Sequence, residues 1–154
     1  MGFSEKMRDS LGAEGARIEV AAPEHAVSPG DTATIHVAIV GGTKPAVVDA
    51  LVLRLVEADR HWRDEQGATL SEAEVGTRDD RSQLTAGWTR NTLFERRIEV
   101  GVTVDPGARH ELTVELAVPT ACRPSDPACN HALHVQADIK GQIDPTGQAR
   151  LKVG

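Results

Sequence analysis

HALHVQADIKGQIDPTGQARLKV, residues 131–153, carries the clearest strand pattern in the chain. Apolar and polar residues alternate through Leu133–Lys140 and alternate again through Gln148–Val153. A period of two places successive side chains on opposite faces of a strand, so each segment has one buried and one solvent-facing side. The Gly, Asp and Pro residues between the segments are typical of a turn. The stretch therefore predicts a pair of strands, the second over Ala149–Val153, that pack against strands from elsewhere in the chain.

Upstream segments show the same alternation and are separated by turns that contain Pro or Gly. The longest of them has apolar residues on both faces, which predicts a central strand covered at least in part on both sides. Short strands spaced by such turns are typical of an antiparallel β-sandwich of the immunoglobulin type. We predict an all-β fold of about seven strands, with residues 1–154 as a single domain. The upstream strands are expected at Arg17–Ala21, Thr32–Val40, Val47–Asp59, Leu93–Val104 and His110–Val118.

The N-terminal residues carry a different pattern. Phe3, Met7 and Leu11 recur at helical spacing within a polar segment, so a short amphipathic helix and linker are expected over residues 1–15. The segment has no apolar run of the length found in signal peptides, and no stretch of the chain approaches the ~20 apolar residues of a membrane span. We therefore expect a cytoplasmic protein without a membrane span, in which Cys122 and Cys129 are kept reduced.

The charge and composition narrow the classes of partner. The formal net charge is −6 and aromatic residues make up 3% of the chain. Nucleic-acid binding is favoured by basic patches and stacking aromatic side chains, so this composition argues against a nucleic-acid partner. The negative charge also argues against binding to an anionic membrane surface and is otherwise compatible with solubility alone.

Residues 60–91 form a polar insertion that interrupts the alternation. A structureless loop of this length is uncommon in a compact domain, so we expect a hairpin or a short edge strand near Gln83–Trp88. Trp62 and Trp88 lie near its two ends. They are expected either to clamp the insertion onto the sandwich or to present an exposed contact for a partner protein.

Four residues near the last strand pair have side chains that bind metals. Cys122, Cys129, His131 and His134 offer the ligand types that zinc prefers, but the strand parity places the two histidines on opposite faces. A disulfide closing the loop, a zinc site and a pair of free thiols all remain open, and no metal or other cofactor is the first expectation. A metal- or redox-sensing domain built on these four residues is the alternative function.

His61 is a candidate base or metal ligand. His61 lies beside Asp59 and Asp64, but no Ser or Cys nucleophile stands at a recognisable spacing from it. We therefore predict no catalytic residues and no enzymatic activity.

Several motifs in register carry a family resemblance. They are the Val27, Pro29, Gly30 turn, the long segment Val48–Ala58, the pattern Ile98–Pro119, and the ending Asp138–Lys140 followed by Ile143–Thr146. Together they resemble the bacterial sporulation-control proteins of the arrestin-like superfamily. The resemblance implies an arrestin-like sandwich, a non-enzymatic regulatory or adaptor role and no catalytic residues. Because such proteins usually carry two sandwiches in tandem and the resemblance covers the first, we expect a protein partner or a homo-oligomer in place of the second.

Overall fold

The computed structural model describes residues 15–154. The helix predicted over residues 1–15 falls on residues outside this range, apart from Gly15. The described residues form eight strands and one short helix. They are β1 Arg17–Ala21, β2 Thr32–Val40, β3 Ala46–Arg63, β4 Thr69–Leu70, α1 Glu72–Gly76, β5 Thr85–Val104, β6 Arg109–Ala117, β7 Cys129–Ile139 and β8 Thr146–Arg150. No helix among them is long and apolar enough to cross a membrane.

The strands form two antiparallel sheets. The smaller sheet has the order β1-β2-β6. In the larger sheet β3 lies between β5 and β7, β8 lies beyond β7, and β4 pairs with the far end of β3. The prediction of an all-β antiparallel sandwich is confirmed, and the additional strand is β4, which belongs to the insertion. That residues 1–154 form a single domain stays a prediction.

The core lies between the inner faces of the two sheets. It is aliphatic, because alternate residues of each strand point inward and the chain has few aromatic residues to contribute. The burial pattern of β7 alternates strictly along its whole length, as the sequence predicts. The largest fully buried aliphatic side chains are Ile35, Ile39, Leu51, Leu53, Leu55, Leu116, Leu133 and Leu151.

The long third strand confirms one prediction and extends another. It is central in its sheet, with β5 on one side and β7 on the other, and Val52 and Val56 on its outer face are half-buried. It continues four residues beyond the predicted end at Asp59 and pairs with the first residues of β5. Most of the insertion at residues 60–91 is therefore a continuation of the β3–β5 hairpin, with β4 and α1 near its tip. We call this hairpin extension, residues 57–92, the arm.

The last strand differs in position from the prediction. β8 spans Thr146–Arg150, whereas Leu151 and Val153 lie beyond it and are buried. Gly147 lies within this strand, where a Cβ atom would stand 2.7 Å from the Ile18 carbonyl oxygen of β1. Only glycine lets the two sheet edges approach this closely. Val153 then makes a parallel bridge to Val27, which continues the closure of this side of the sandwich.

Candidate functional site

Two groups of side chains stand out, one on the arm and one buried beside its base. On the arm, the Arg60 guanidinium makes two hydrogen bonds of 2.8 and 3.2 Å to the carboxylate of Glu72. The indole N–H of Trp62 donates to the same carboxylate at 3.0 Å, and the Arg60 guanidinium lies 5.0 Å from the centre of the Trp62 ring. Trp62 is thus held against other residues of the arm.

The helix α1 supplies the carboxylate that holds this group together. Ser71 caps the helix in a capping box with Glu74, which fixes where the first turn begins. Glu72 in that first turn therefore faces Arg60 in a defined position. The hydrogen bond from Arg60 lowers the pKa of the Glu72 carboxyl, and the same bond raises the pKa of Arg60.

Trp88 lies on the same outer face of the arm, directly opposite Arg60 in the register. It is 44% exposed, and the core contains neither tryptophan. These contacts do not support the expected clamp of the insertion onto the sandwich. Trp62 packs within the arm, and Trp88 faces solvent. That either residue binds a partner stays a prediction.

His134 also faces outward, on the face of the larger sheet that carries Trp88. It pairs in the register with Arg54 of β3, with Arg90 of β5 also nearby. Partial burial, helped by the positive charges of Arg90 and Arg54, lowers the pKa of His134. His134 therefore belongs to the outer surface and lies away from the two cysteines.

The second group lies on the inner face of the sheet, at the base of the arm. The His131 side chain is fully buried, and its Nε2 atom stands 3.1 Å from Glu57 Oε2 and 3.2 Å from Cys122 Sγ. Its Nδ1 atom lies 2.7 Å from Ser125 Oγ, which also accepts the N–H of Val153 at 3.0 Å. The imidazole is therefore fixed at both nitrogens.

Cys129 completes this group. The donor atoms of Glu57, Cys129 and His131 lie within 4.8 Å of one another, and both cysteines carry free thiols. Burial, followed by the negative charge of Glu57, raises the pKa of both thiols. The structure thus brings together three of the four metal-ligating residues named from the sequence and replaces His134 with Glu57. We call Glu57, Cys122, Cys129 and His131 the thiol–imidazole cluster.

Glu57 and Ser125 were missed in the sequence. The sequence feature that could have identified Glu57 is its position in the alternating pattern of β3. It shares the inward-facing side of that strand with Leu53 and Leu55. Its register partner across the sheet is His131. A charged residue at an inward position needs a partner, but the partner's identity depends on a strand pairing that the local sequence does not specify.

Asp59, His61 and Asp64 each contact a different partner. Asp59 pairs with Arg123, and the Asp64 carboxylate accepts the backbone N–H groups of Gln66 and Ala68 at 2.9 and 2.8 Å. His61 Nδ1 lies 3.4 Å from Thr89 Oγ1. Each carboxylate is thus engaged with a partner other than the imidazole.

Nearly the whole length of the chain matches one protein family. A family profile described as SpoOM protein matches residues 4–154. The chain belongs to the Spo0M family. The resemblance to sporulation-control proteins is confirmed by this match.

One solved structure agrees with this assignment at the level of the fold. The sporulation control protein Spo0M from Bacillus subtilis superposes with a TM-score of 0.67 at 19% identity, covering 90% of this chain and 49% of that one. The Spo0M-family chain thus spans about half the length of that relative. The CARDB domain of the PF1109 protein from Pyrococcus furiosus, in complex with di-metal ions, matches with a TM-score of 0.43 at 12% identity over 90% of this chain and 87% of that one. A search of curated protein sequences returns no match.

Proposed function

We propose that this Spo0M-family protein is a non-enzymatic regulatory adaptor in the cytoplasm, and that it binds a partner protein by strand addition to β5. The observation that carries the proposal is the open edge of this strand. β5 is 20 residues long, and among residues 15–154 it pairs only with β3. An unpaired strand edge offers backbone donors and acceptors to a second chain.

The direction of the backbone groups on the arm follows from one hydrogen bond. The N–H of Arg60 donates to the carbonyl of Ala128, on the β7 side of β3. In an antiparallel pair, the N–H and C=O of one residue point to the same side, so Arg60 and its partner Trp88 form a non-hydrogen-bonded pair. The N–H and C=O of Trp88 therefore point away from β3, into the open edge. By the same alternation, the outward-pointing backbone groups of this segment belong to Ala86, Trp88, Arg90 and Thr92.

The side chains beside this edge suggest the chemistry of the partner. Trp88 offers an exposed apolar ring, and Arg90 follows two residues later on the same face. Arg90 has no ion-pair partner among residues 15–154, whereas Arg54, Arg60 and Arg97 are all paired. An extended segment with an apolar and an acidic side chain two residues apart would match Trp88 and Arg90.

The absence of enzymatic chemistry is part of the proposal and has its own support. Ser125, His131 and Glu57 stand in a row that resembles a hydrolase triad, but the imidazole is buried and the Ser125 hydroxyl oxygen accepts the Val153 N–H. The contacts of Ser125 to His131 and to the backbone of Val153 support a structural role for this row of residues. The free thiols of Cys122 and Cys129 are compatible with a reducing compartment such as the cytoplasm.

Two substitutions at one position separate backbone from side-chain recognition. Arg90→Pro removes one outward N–H without removing a β3–β5 hydrogen bond, and Pro is tolerated on edge strands. Arg90→Ala removes the charge and keeps the N–H. Tagged versions of both variants and the wild-type protein are expressed in the native host, cross-linked, captured and compared by quantitative mass spectrometry.

Strand addition predicts that partners captured by the wild type are lost from Arg90→Pro and are reduced but retained in Arg90→Ala. Circular dichroism of each variant controls for folding, and light scattering of the purified wild type shows whether the partner is a second copy of the chain. Equal capture by the wild type and a folded Arg90→Pro protein would contradict binding at this edge.

A further inference from the structure

The thiol–imidazole cluster gathers two thiols and a carboxylate around the buried imidazole of His131. These groups come from three separate parts of the chain: Glu57 from β3, Cys129 and His131 from β7, and Cys122 from the preceding loop. His131 Nε2 lies within 3.2 Å of both Glu57 Oε2 and Cys122 Sγ. We propose that Glu57, Cys122, Cys129 and His131 form a binding site for one Zn²⁺ ion.

The distances are close to those of a tetrahedral zinc site. Zinc bonds of ~2.0–2.3 Å to N, O and S place neighbouring ligand atoms about 3.3–3.6 Å apart. The Nε2 atom of His131 stands 3.1 Å from the Glu57 oxygen and 3.2 Å from the Cys122 sulfur, so each separation has to widen only slightly. The Cys129 sulfur lies within 4.8 Å of the Glu57 and His131 donor atoms, whereas Cys122 is close to the group through His131 alone. Both sulfur atoms therefore have to move toward the centre of the group.

In a hydrogen-bonded network, the contacts of Glu57 and Cys122 compete for one atom of His131, Nε2. A neutral imidazole has at most one proton on Nε2, and both Glu57 Oε2 and Cys122 Sγ approach that single atom. A thiol is in any case a weak hydrogen-bond partner. A cation at the centre of the group interacts favourably with the imidazole nitrogen, the carboxylate oxygen and both sulfur atoms at the same time.

The groups around the cluster fit the outer shell of a metal site. A histidine that binds metal through one nitrogen usually donates its other N–H to an oxygen atom, which fixes the ring. Ser125 Oγ stands in that position, 2.7 Å from His131 Nδ1. The hydroxyl oxygen has two acceptor sites, so it can receive the Nδ1 proton and the Val153 N–H together.

The charges indicate the class of metal. Two thiolates, one carboxylate and one Zn²⁺ ion leave one negative charge, and Arg123, which also pairs with Asp59, stands 3.8 Å from the second oxygen of Glu57. Thiolate and imidazole ligands favour Zn²⁺ over Mg²⁺ or Ca²⁺, which prefer oxygen. Burial of the cysteines disfavours free thiolates, so metal binding would displace one proton from each sulfur to the solvent.

The test is a metal titration of the full chain. Protein purified under a non-thiol reductant is stripped with a chelator, and ZnCl₂ is added in competition with an indicator of known affinity. Elemental analysis after dialysis is expected to find one zinc per chain, and the thermal midpoint is expected to rise with added zinc. Co²⁺ in place of zinc should give the thiolate-to-metal charge-transfer absorption and the visible bands of a tetrahedral site. These measurements on the wild type do not depend on the folding of any variant.

Variants then assign the ligands. Cys129→Ser and His131→Gln are each expected to weaken zinc binding at least about 100-fold, since loss of an outer-shell partner already costs 10–100-fold. His134→Gln is the matched control, because His134 lies on the same strand but on the opposite face. Three results would overturn the site: no stoichiometric zinc on the reduced wild type, a cobalt spectrum without thiolate absorption, or equal weakening by His134→Gln and His131→Gln.

Discussion

Replacing Ser125 with Ala tests whether the buried network holds the C-terminal end of the chain in place. The substitution removes one oxygen atom that contacts His131 Nδ1 at 2.7 Å and accepts the Val153 N–H at 3.0 Å. The Val153 residue and the His131 side chain are both buried, so water cannot readily replace the lost contacts. An unpaired buried polar group costs about 1–3 kcal/mol, and two such groups give about 2–6 kcal/mol of lost stability.

The assay is thermal unfolding of the wild type and the variant, followed by circular dichroism. For a chain of this size about 1 kcal/mol corresponds to about 2–4 °C, so Ser125→Ala should lower the midpoint by about 4–24 °C. Ser82→Ala is the matched control, because its hydroxyl makes a bond of the same 2.7 Å length to Asp80 on the exposed surface. It should change stability by less than about 0.5 kcal/mol. Equal midpoints for the two variants would refute the importance of the buried network.

Three further predictions concern other parts of the fold. Gly147→Ala should destabilise the protein by about 1–3 kcal/mol in chemical denaturation, because the new Cβ atom would stand 2.7 Å from the Ile18 carbonyl oxygen; Gly76→Ala, with no atom within 4 Å of its new Cβ, should not destabilise it. His134 has a lowered pKa in the folded state, so its contribution to stability is present above the unfolded-state pKa of ~6.5 and is lost as the pH falls through the folded-state pKa. The drop in the free energy of unfolding between neutral and mildly acidic pH should therefore be smaller in His134→Gln than in the wild type, and an equal drop would count against this reasoning. Glu72→Gln removes the charge that pairs with Arg60, and amide hydrogen exchange should speed up in the arm but not in β2; unchanged exchange in the arm would show that the pair does not order it.

The sandwich could be predicted from the sequence because its strands have one inward and one outward face. β1 and β2 match their predicted bounds, since each is a short alternating segment between turn residues. The arm could not be predicted in the same way. At its start, β5 is exposed on both faces, so residues there carry no alternation for the sequence to show. These residues form a strand because they pair with the end of β3, where the β3–β5 hairpin continues past the sandwich.

The thiol–imidazole cluster shows a different limit. The cysteines and His131 are close in the sequence, and their ligand chemistry is recognisable from residue type. Glu57 joins them only because β3 and β7 pair in the register that sets Glu57 opposite His131. Strand parity correctly separated His131 from His134, since parity is a local property of one strand. Long-range pairing is set by the whole core, and a single sequence does not display it.

Photo-cross-linking from position 88 tests partner binding at β5 most directly. A photoreactive phenylalanine analogue replaces Trp88 in one strain of the native host and Val47 in another. The two residues are matched in exposure, at 44% and 42%, and they lie on the same β3–β5 hairpin at opposite ends. Binding along the arm predicts a specific cross-linked partner from position 88 and none from position 47. Equal cross-linking from both positions, or none from position 88, would contradict the proposal that β5 is the partner-binding strand.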